Sequence, residues 1–92
     1  MSRGKYLRNN NIKWREEKNG ALFLDSENDT ICKLNSTATL IWKLCDGKHG
    51  ISNICKIIEK TFKETHTANV TEDVKECINF FINRRWLIII EK

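Results

Sequence analysis

An α+β domain is what three patterns in this 92-residue sequence predict. Residues 12–34 alternate apolar and polar side chains between polar turns, residues 36–81 repeat apolar side chains at three- and four-residue intervals, and Trp86 to Ile90 form a β-branched apolar run. Period two places one face of a strand against a core, and a period near 3.6 does the same for a helix. The expected order is therefore a three-stranded antiparallel N-terminal sheet, three helices and a terminal apolar segment, which describes a small winged helix-turn-helix domain.

The first strand is expected at Ile12-Lys13-Trp14-Arg15-Glu16, where apolar and polar residues alternate. Lys18-Asn19-Gly20 supplies a tight turn, because Asn-Gly tolerates positive φ at low cost, and Ala21 to Asp25 should return antiparallel. A second turn, Ser26-Glu27-Asn28-Asp29, leads into Thr30-Ile31-Cys32-Lys33-Leu34. Asn35-Ser36-Thr37 offers capping oxygens to a short helix carrying Leu40, Ile41, Leu44 and Cys45 on one face, and Asp46-Gly47 closes it. Ser52 is expected to cap a second helix with Ile54, Cys55, Ile58 and Phe62 inward. Glu64 to Asn69 is a polar connection, and Thr71 is expected to cap the third helix, whose Glu72 and Asp73 suit the positive end of the helix dipole. Val74, Cys77, Ile78 and Phe81 form its buried stripe.

Composition narrows the function classes. The chain is 40% hydrophobic and 30% charged, with three tryptophans, four glycines and no proline, which is globular rather than disordered. One domain of this size holds one modest core and no deep, water-excluding active site. Lacking an apolar run of about 20 residues and a signal-like N-terminus, it is expected in the cytoplasm. Cys32, Cys45, Cys55 and Cys77 make no CxxC pair and sit within apolar patterns, as buried thiols do. The net charge of +4 is unevenly spread: Arg3, Lys5, Arg8, Lys13, Arg15 and Lys18 crowd the first fifth. Residues 1–11 are expected as a flexible basic arm and residues 12–92 as the folded domain. No phosphate loop, carboxylate pair or zinc signature is present, and His49 and His66 stand in polar connections, so neither catalysis, metal nor cofactor is expected.

Read as a succession, Trp14-Arg15-Glu16, Leu22 to Asp25, Lys33-Leu34-Asn35, Ile41-Trp42-Lys43-Leu44, Asp46-Gly47 and Asp73-Val74 resemble the PqqD family, also called RiPP recognition elements. The resemblance spans about residues 12–90 and is most specific between Leu34 and Gly47. It implies a non-catalytic module that binds the leader of a ribosomally made precursor peptide. The same resemblance implies delivery to a modifying enzyme, a radical SAM enzyme or a leader peptidase and cyclase system, and covers pyrroloquinoline quinone, thioether and lasso-peptide chemistries. In the family the leader adds as an extra strand beside the third strand, in a groove closed by the third helix. Carried over, the docking edge is Thr30, Ile31, Cys32, Lys33 and Leu34, and the wall is the helix beginning at Glu72. Two positions depart from the pattern: Arg85 stands where glycine is common, and Cys32 where a bulkier residue is common.

The physical reason for such a site is that an edge strand carries unpaired backbone donors and acceptors, so affinity comes from main-chain pairing and selectivity from side chains. Ile31 and Lys33 share one face, Thr30, Cys32 and Leu34 the other, and Lys33 is expected on the solvent side. On the helix, Val74, Ile78, Phe81 and Arg85 fall on one side, and Cys77, Phe80 and Arg84 on the neighbouring flank. Phe80 is expected either in the core or as a rest for an apolar anchor, and Arg84 and Arg85 either to pair with leader carboxylates or to suit the helix dipole. Exposed edges also make either a monomer or an edge-paired dimer compatible with the sequence.

Two other functions fit parts of the pattern. A winged helix-turn-helix with basic balance suits a DNA-binding regulator, but Glu72, Asp73 and Glu76 would face phosphate with like charge. A subunit that binds only an enzyme partner would expose a tryptophan, whereas Trp14 and Trp42 fall at core positions.

Overall fold

The computed structural model describes residues 5–25, 27, 29–62 and 70–90. Its elements are β1 (Lys5–Arg8), β2 (Lys13–Glu17), β3 (Gly20–Asp25), β4 (Thr30–Asn35), α1 (Ser36–Leu44), α2 (Ile51–Thr61), α3 (Val70–Asn83) and β5 (Leu87–Ile90). The fold is α+β with three helices, but its strands form two antiparallel sheets rather than one. β2-β3-β4 is the expected meander, and β1 pairs with β5 in a second sheet. Ser26, Asn28, the connection from Glu64 to Asn69 with His66, and Arg3 lie outside the described residues.

The meander turns where the sequence places it. Glu17 pairs with Gly20, so Lys18 and Asn19 are the two turn residues and Gly20 opens β3. Gly20 adopts φ +152°, and a Cβ there would collide with the carbonyl of Leu34. Glycine is required at this point because strand β4 crosses too closely for a side chain.

The arm expected over residues 1–11 contains a strand. Lys5 to Arg8 lie in register with Ile90 to Leu87, and Tyr6 is buried. The other edge of β1 is held by the segment after α1: Arg8 N–H donates to the Cys45 carbonyl at 3.0 Å and Gly47 N–H to the Tyr6 carbonyl at 2.7 Å. Two of the expected helix caps also move. Asn35 caps α1 as expected, accepting from Ala38 N–H at 2.9 Å. In α2, however, Gly50 is the cap residue with no side-chain hydrogen bond, and Ser52 already lies inside the helix. Thr71 likewise follows Val70, the first residue of α3.

The end of α3 is closed by backbone geometry. Arg85 N–H donates to the Ile82 carbonyl and Trp86 N–H to the Phe81 carbonyl, each at 2.9 Å, while Arg85 takes φ +62°. This is the Schellman pattern, with a left-handed residue one past the cap. The hydrophobic contact that accompanies it is the stacking of Trp86 on Phe81, with ring centroids 5.9 Å apart. A non-glycine residue in the left-handed region costs about 1–2 kcal/mol, so Arg85 carries a strain that glycine would not.

The core gathers around four aromatic rings, three from β3, α1 and α3 and one from the connection between α3 and β5. Phe23 of β3 lies 5.0 Å from Trp42 of α1 and 5.1 Å from Trp86, and Phe81 of α3 lies 5.3 Å from Trp42. All four are fully buried, and such pairs contribute about 0.5–1.5 kcal/mol each beyond their burial. Trp14, expected in the core, is half-buried and stacks on Phe23 at its margin. Trp86 Nε1 donates to the buried carboxylate of Asp25 at 2.9 Å, tying the end of β3 to the entrance of β5.

Candidate functional site

β4 is the outer strand of its sheet and pairs only with β3 among the described residues. The backbone groups it leaves free follow from the register. Residues of an antiparallel strand turn their N–H and C=O groups alternately towards one neighbour and the other. Leu34 directs its carbonyl at β3, against Gly20, so Cys32 and Thr30 do the same. Ile31 and Lys33 therefore present their N–H and C=O groups to the open edge, two donors and two acceptors for an extended guest.

The side chains of β4 sort as alternation requires. Cys32 and Leu34 face inward, half-buried against the core, while Thr30, Ile31 and Lys33 are exposed. Ile31, at 69% exposure, lies opposite the exposed Leu24 of β3, forming an apolar patch on the outer face. Lys33 is on that same outer side.

The residues expected to line a wall on α3 divide into two sets. Val74, Ile78 and Phe81 are buried in the core. Cys77 and Phe80 are half-buried on its flank, and Arg84 and Arg85 are exposed beyond the last turn. The Arg84 guanidinium lies over the Phe80 ring, 4.4 Å from its centroid, and 5.9 Å from Trp86. Arg85 contributes its backbone, whose carbonyl accepts from Asn9 Nδ2 at 2.9 Å.

Two placements give the sense of β4 relative to α3. Asn35, at the end of β4, shares a cavity of about 380 Å³ with Asp73, Val74 and Cys77 of the first half of α3. At the other end Thr30 is opposite Asp25, which holds Trp86 just beyond α3. The strand and the helix therefore run in opposite senses. In the sequence Asp25 reads only as a strand residue, although Ala21, Phe23 and Asp25 share one face by period two, and Asp73 reads only as a residue suited to the helix dipole.

The four cysteines are free thiols. Burial pushes Cys77 up to about 12. Cys45 is also pushed up to about 12, by burial first and then by the neighbouring Cys77, with Arg8 opposing and Asp46 adding. Both are neutral hydrophobes at neutral pH rather than nucleophiles or ligands. His49 is hydrogen-bonded to Asp46 at 2.9 Å. Burial pushes the Asp46 carboxyl up, but the hydrogen bonds from His49 and the Lys48 N–H outweigh it and hold it below the usual range. Among the described residues, no group of three or more His, Cys, Asp or Glu is placed to hold a metal ion, and no helix is long and apolar enough to cross a membrane.

A small α+β domain with an open strand beside an amphipathic helix is the class that fold and edge define. The chain belongs to the PqqD family: the model of coenzyme PQQ synthesis protein D matches residues 20–87. It is similar to a "PqqA binding protein" of Methylococcus capsulatus, 29% identical over 76 residues that cover 83% of this chain and 76% of that protein. A second "PqqA binding protein", from Kluyvera intermedia, is 28% identical over 82 residues, covering 89% of this chain and 85% of that protein. No solved structure gives a significant match.

Proposed function

We propose that this protein binds the leader region of a ribosomally synthesised precursor peptide by strand addition along β4 and presents it to a separate modifying enzyme in the cytoplasm. The observation that carries the reading is the pair of outward-facing backbone residues, Ile31 and Lys33, on a strand that ends its sheet and whose last residue, Asn35, shares a cavity with Asp73 and Cys77 of α3. An incoming strand gains main-chain hydrogen bonds there, and its alternate side chains meet Cys32, Leu34, Cys77 and Phe80. The relatives named for binding PqqA support a peptide as the ligand. The enzyme partner is a radical SAM enzyme or another maturase of the same peptide, and the chain itself performs no catalysis. Winged helix-turn-helix packing of α1 to α3 belongs to this reading as a scaffold for the peptide rather than for DNA, since Glu72, Asp73 and Glu76 are all exposed along the start of α3.

The test is a titration of isotopically labelled protein with the leader of its cognate precursor peptide. Amide shifts should concentrate in residues 30–35 and 73–85. Shifts confined to residues 5–18, or a duplex DNA complex that the leader does not displace, would overturn the assignment.

A further inference from the structure

The charges along the candidate groove are sorted by position. On α3 and the residue that follows it, Asp73, Cys77, Phe80 and Arg84 come at intervals of four, three and four residues, which is one stripe along the helix and its cap. Its middle is the half-buried apolar pair, and its two ends are exposed charges of opposite sign. Neither end charge is matched: among the described residues, no ion pair involves Asp73 or Arg84. Arg84, although exposed, lies over the Phe80 ring, which positions its guanidinium on that flank of the helix. Because β4 and α3 run in opposite senses, Asp73 stands at the Asn35 end of the edge and Arg84 at the Thr30 end, beside Trp86.

Resting on the strand-addition reading, we propose that the groove selects an extended peptide with a basic residue towards its N-terminus, apolar residues in the middle and an acidic residue towards its C-terminus. The direction follows from the sheet. All its pairings are antiparallel, and an antiparallel guest on β4 begins beside Asn35 and ends beside Thr30. Its first charged side chain then meets Asp73 and its last meets Arg84. The spacing follows from two rises. Eleven helical residues from Asp73 to Arg84 span about 16 Å, and a strand covers that length in about five residues. Side chains on one face of a strand repeat every second residue, so the two guest charges belong about four or six positions apart. Each pairing is partly exposed and contributes up to about fivefold in affinity, lost progressively as salt is raised.

The experiment is selection of a displayed random dodecapeptide library on the full chain and on the doubly reversed variant Asp73→Lys with Arg84→Glu. Both positions are exposed, and the two changes cancel in net charge, so general attraction of acidic peptides is the same for both proteins. The expected result is enrichment of basic, apolar, acidic order on the parent chain and of the reverse order on the variant, with selected peptides shifting the β4 amides in both. Peptides that shift β4 but carry no charge order, or the same order on both proteins, overturn the charge-order inference and leave strand addition standing. Selected peptides that leave the β4 amides unmoved overturn both.

Discussion

Among the open strand edges of the described residues, those of β4 and β5 differ in what stands beside them. β4 presents the backbone of Ile31 and Lys33, as argued from the Leu34 carbonyl. In the other sheet, β1 turns Tyr6 and Arg8 towards the segment after α1, and Asn9 N–H donates to the Trp86 carbonyl at 2.8 Å. By the same alternation, Leu87 and Ile89 present their backbone outward from β5. The two edges thus offer equal numbers of free peptide groups. The β5 edge is four residues long, wholly apolar, and exposes Ile88 at 50% and Ile89 at 48%. The β4 edge is six residues long, carries Lys33, and has Asn35 at its end sharing a cavity with Asp73 and Cys77 of α3. Free backbone alone supplies adhesion, and a neighbouring wall supplies choice.

The largest effect should come from the bond that joins the two regions. Asp25→Ala leaves the buried Trp86 indole N–H without its acceptor and weakens the support of both edges. It should cost about 3 kcal/mol, the range for losing a charged partner from a buried hydrogen bond, read as a lower denaturation midpoint with an unchanged slope. Next, proline tests the edges against each other without breaking either ladder. Lys33→Pro removes an outward N–H from β4 and should weaken leader binding about tenfold, the worth of one good hydrogen bond. Ile89→Pro removes the equivalent donor from β5 and should leave affinity unchanged. Equal losses in calorimetric titration would dissolve the distinction between the edges.

A smaller gain is expected at the joint between α3 and β5. Arg85→Gly relieves the left-handed φ of +62° and should stabilise by about 1 kcal/mol. For a domain this size that raises Tm by about 4–8 °C, with leader affinity retained, because Arg85 is tied in through its carbonyl rather than its guanidinium. Smallest is the alkaline response. Cys45 and Cys77 are raised from 9.0 to about 12 in the folded chain. The unfolded chain loses these protons first, so their contribution is whole below pH 9 and fades as pH climbs towards about 12. Both thiols should alkylate slowly at pH 8 until denaturant is added.

The sheet that carries the candidate site was legible because its signals are local. Period-two alternation and an Asn-Gly turn define β2 and β3, and Asn35 caps α1 where a capping residue precedes an apolar stripe. The other sheet has no local signal. Lys5-Tyr6-Leu7-Arg8 is four residues with a charge at each end, and its partner is Ile90 to Leu87, at the far end of the chain. The moved caps have a related cause: Ser52 and Thr71 are good capping types, but each helix begins one or two residues earlier, so their side chains are no longer at the cap. For the candidate site, alternation placed Ile31 and Lys33 opposite Cys32 and Leu34. The pairing of Asp73 with the strand's end and Arg84 with its start needs the mutual sense of β4 and α3, which no single segment encodes.

The register of β1 and β5 has a mechanical consequence. Lys5 lies opposite Ile90, so a pull applied through both extremities meets the outermost rung first and opens this ribbon sequentially, like a zip, rather than shearing all its rungs together. Cargo tethered at either extremity would tug on the Lys5–Ile90 rung well before any load reached Phe23 or Trp42.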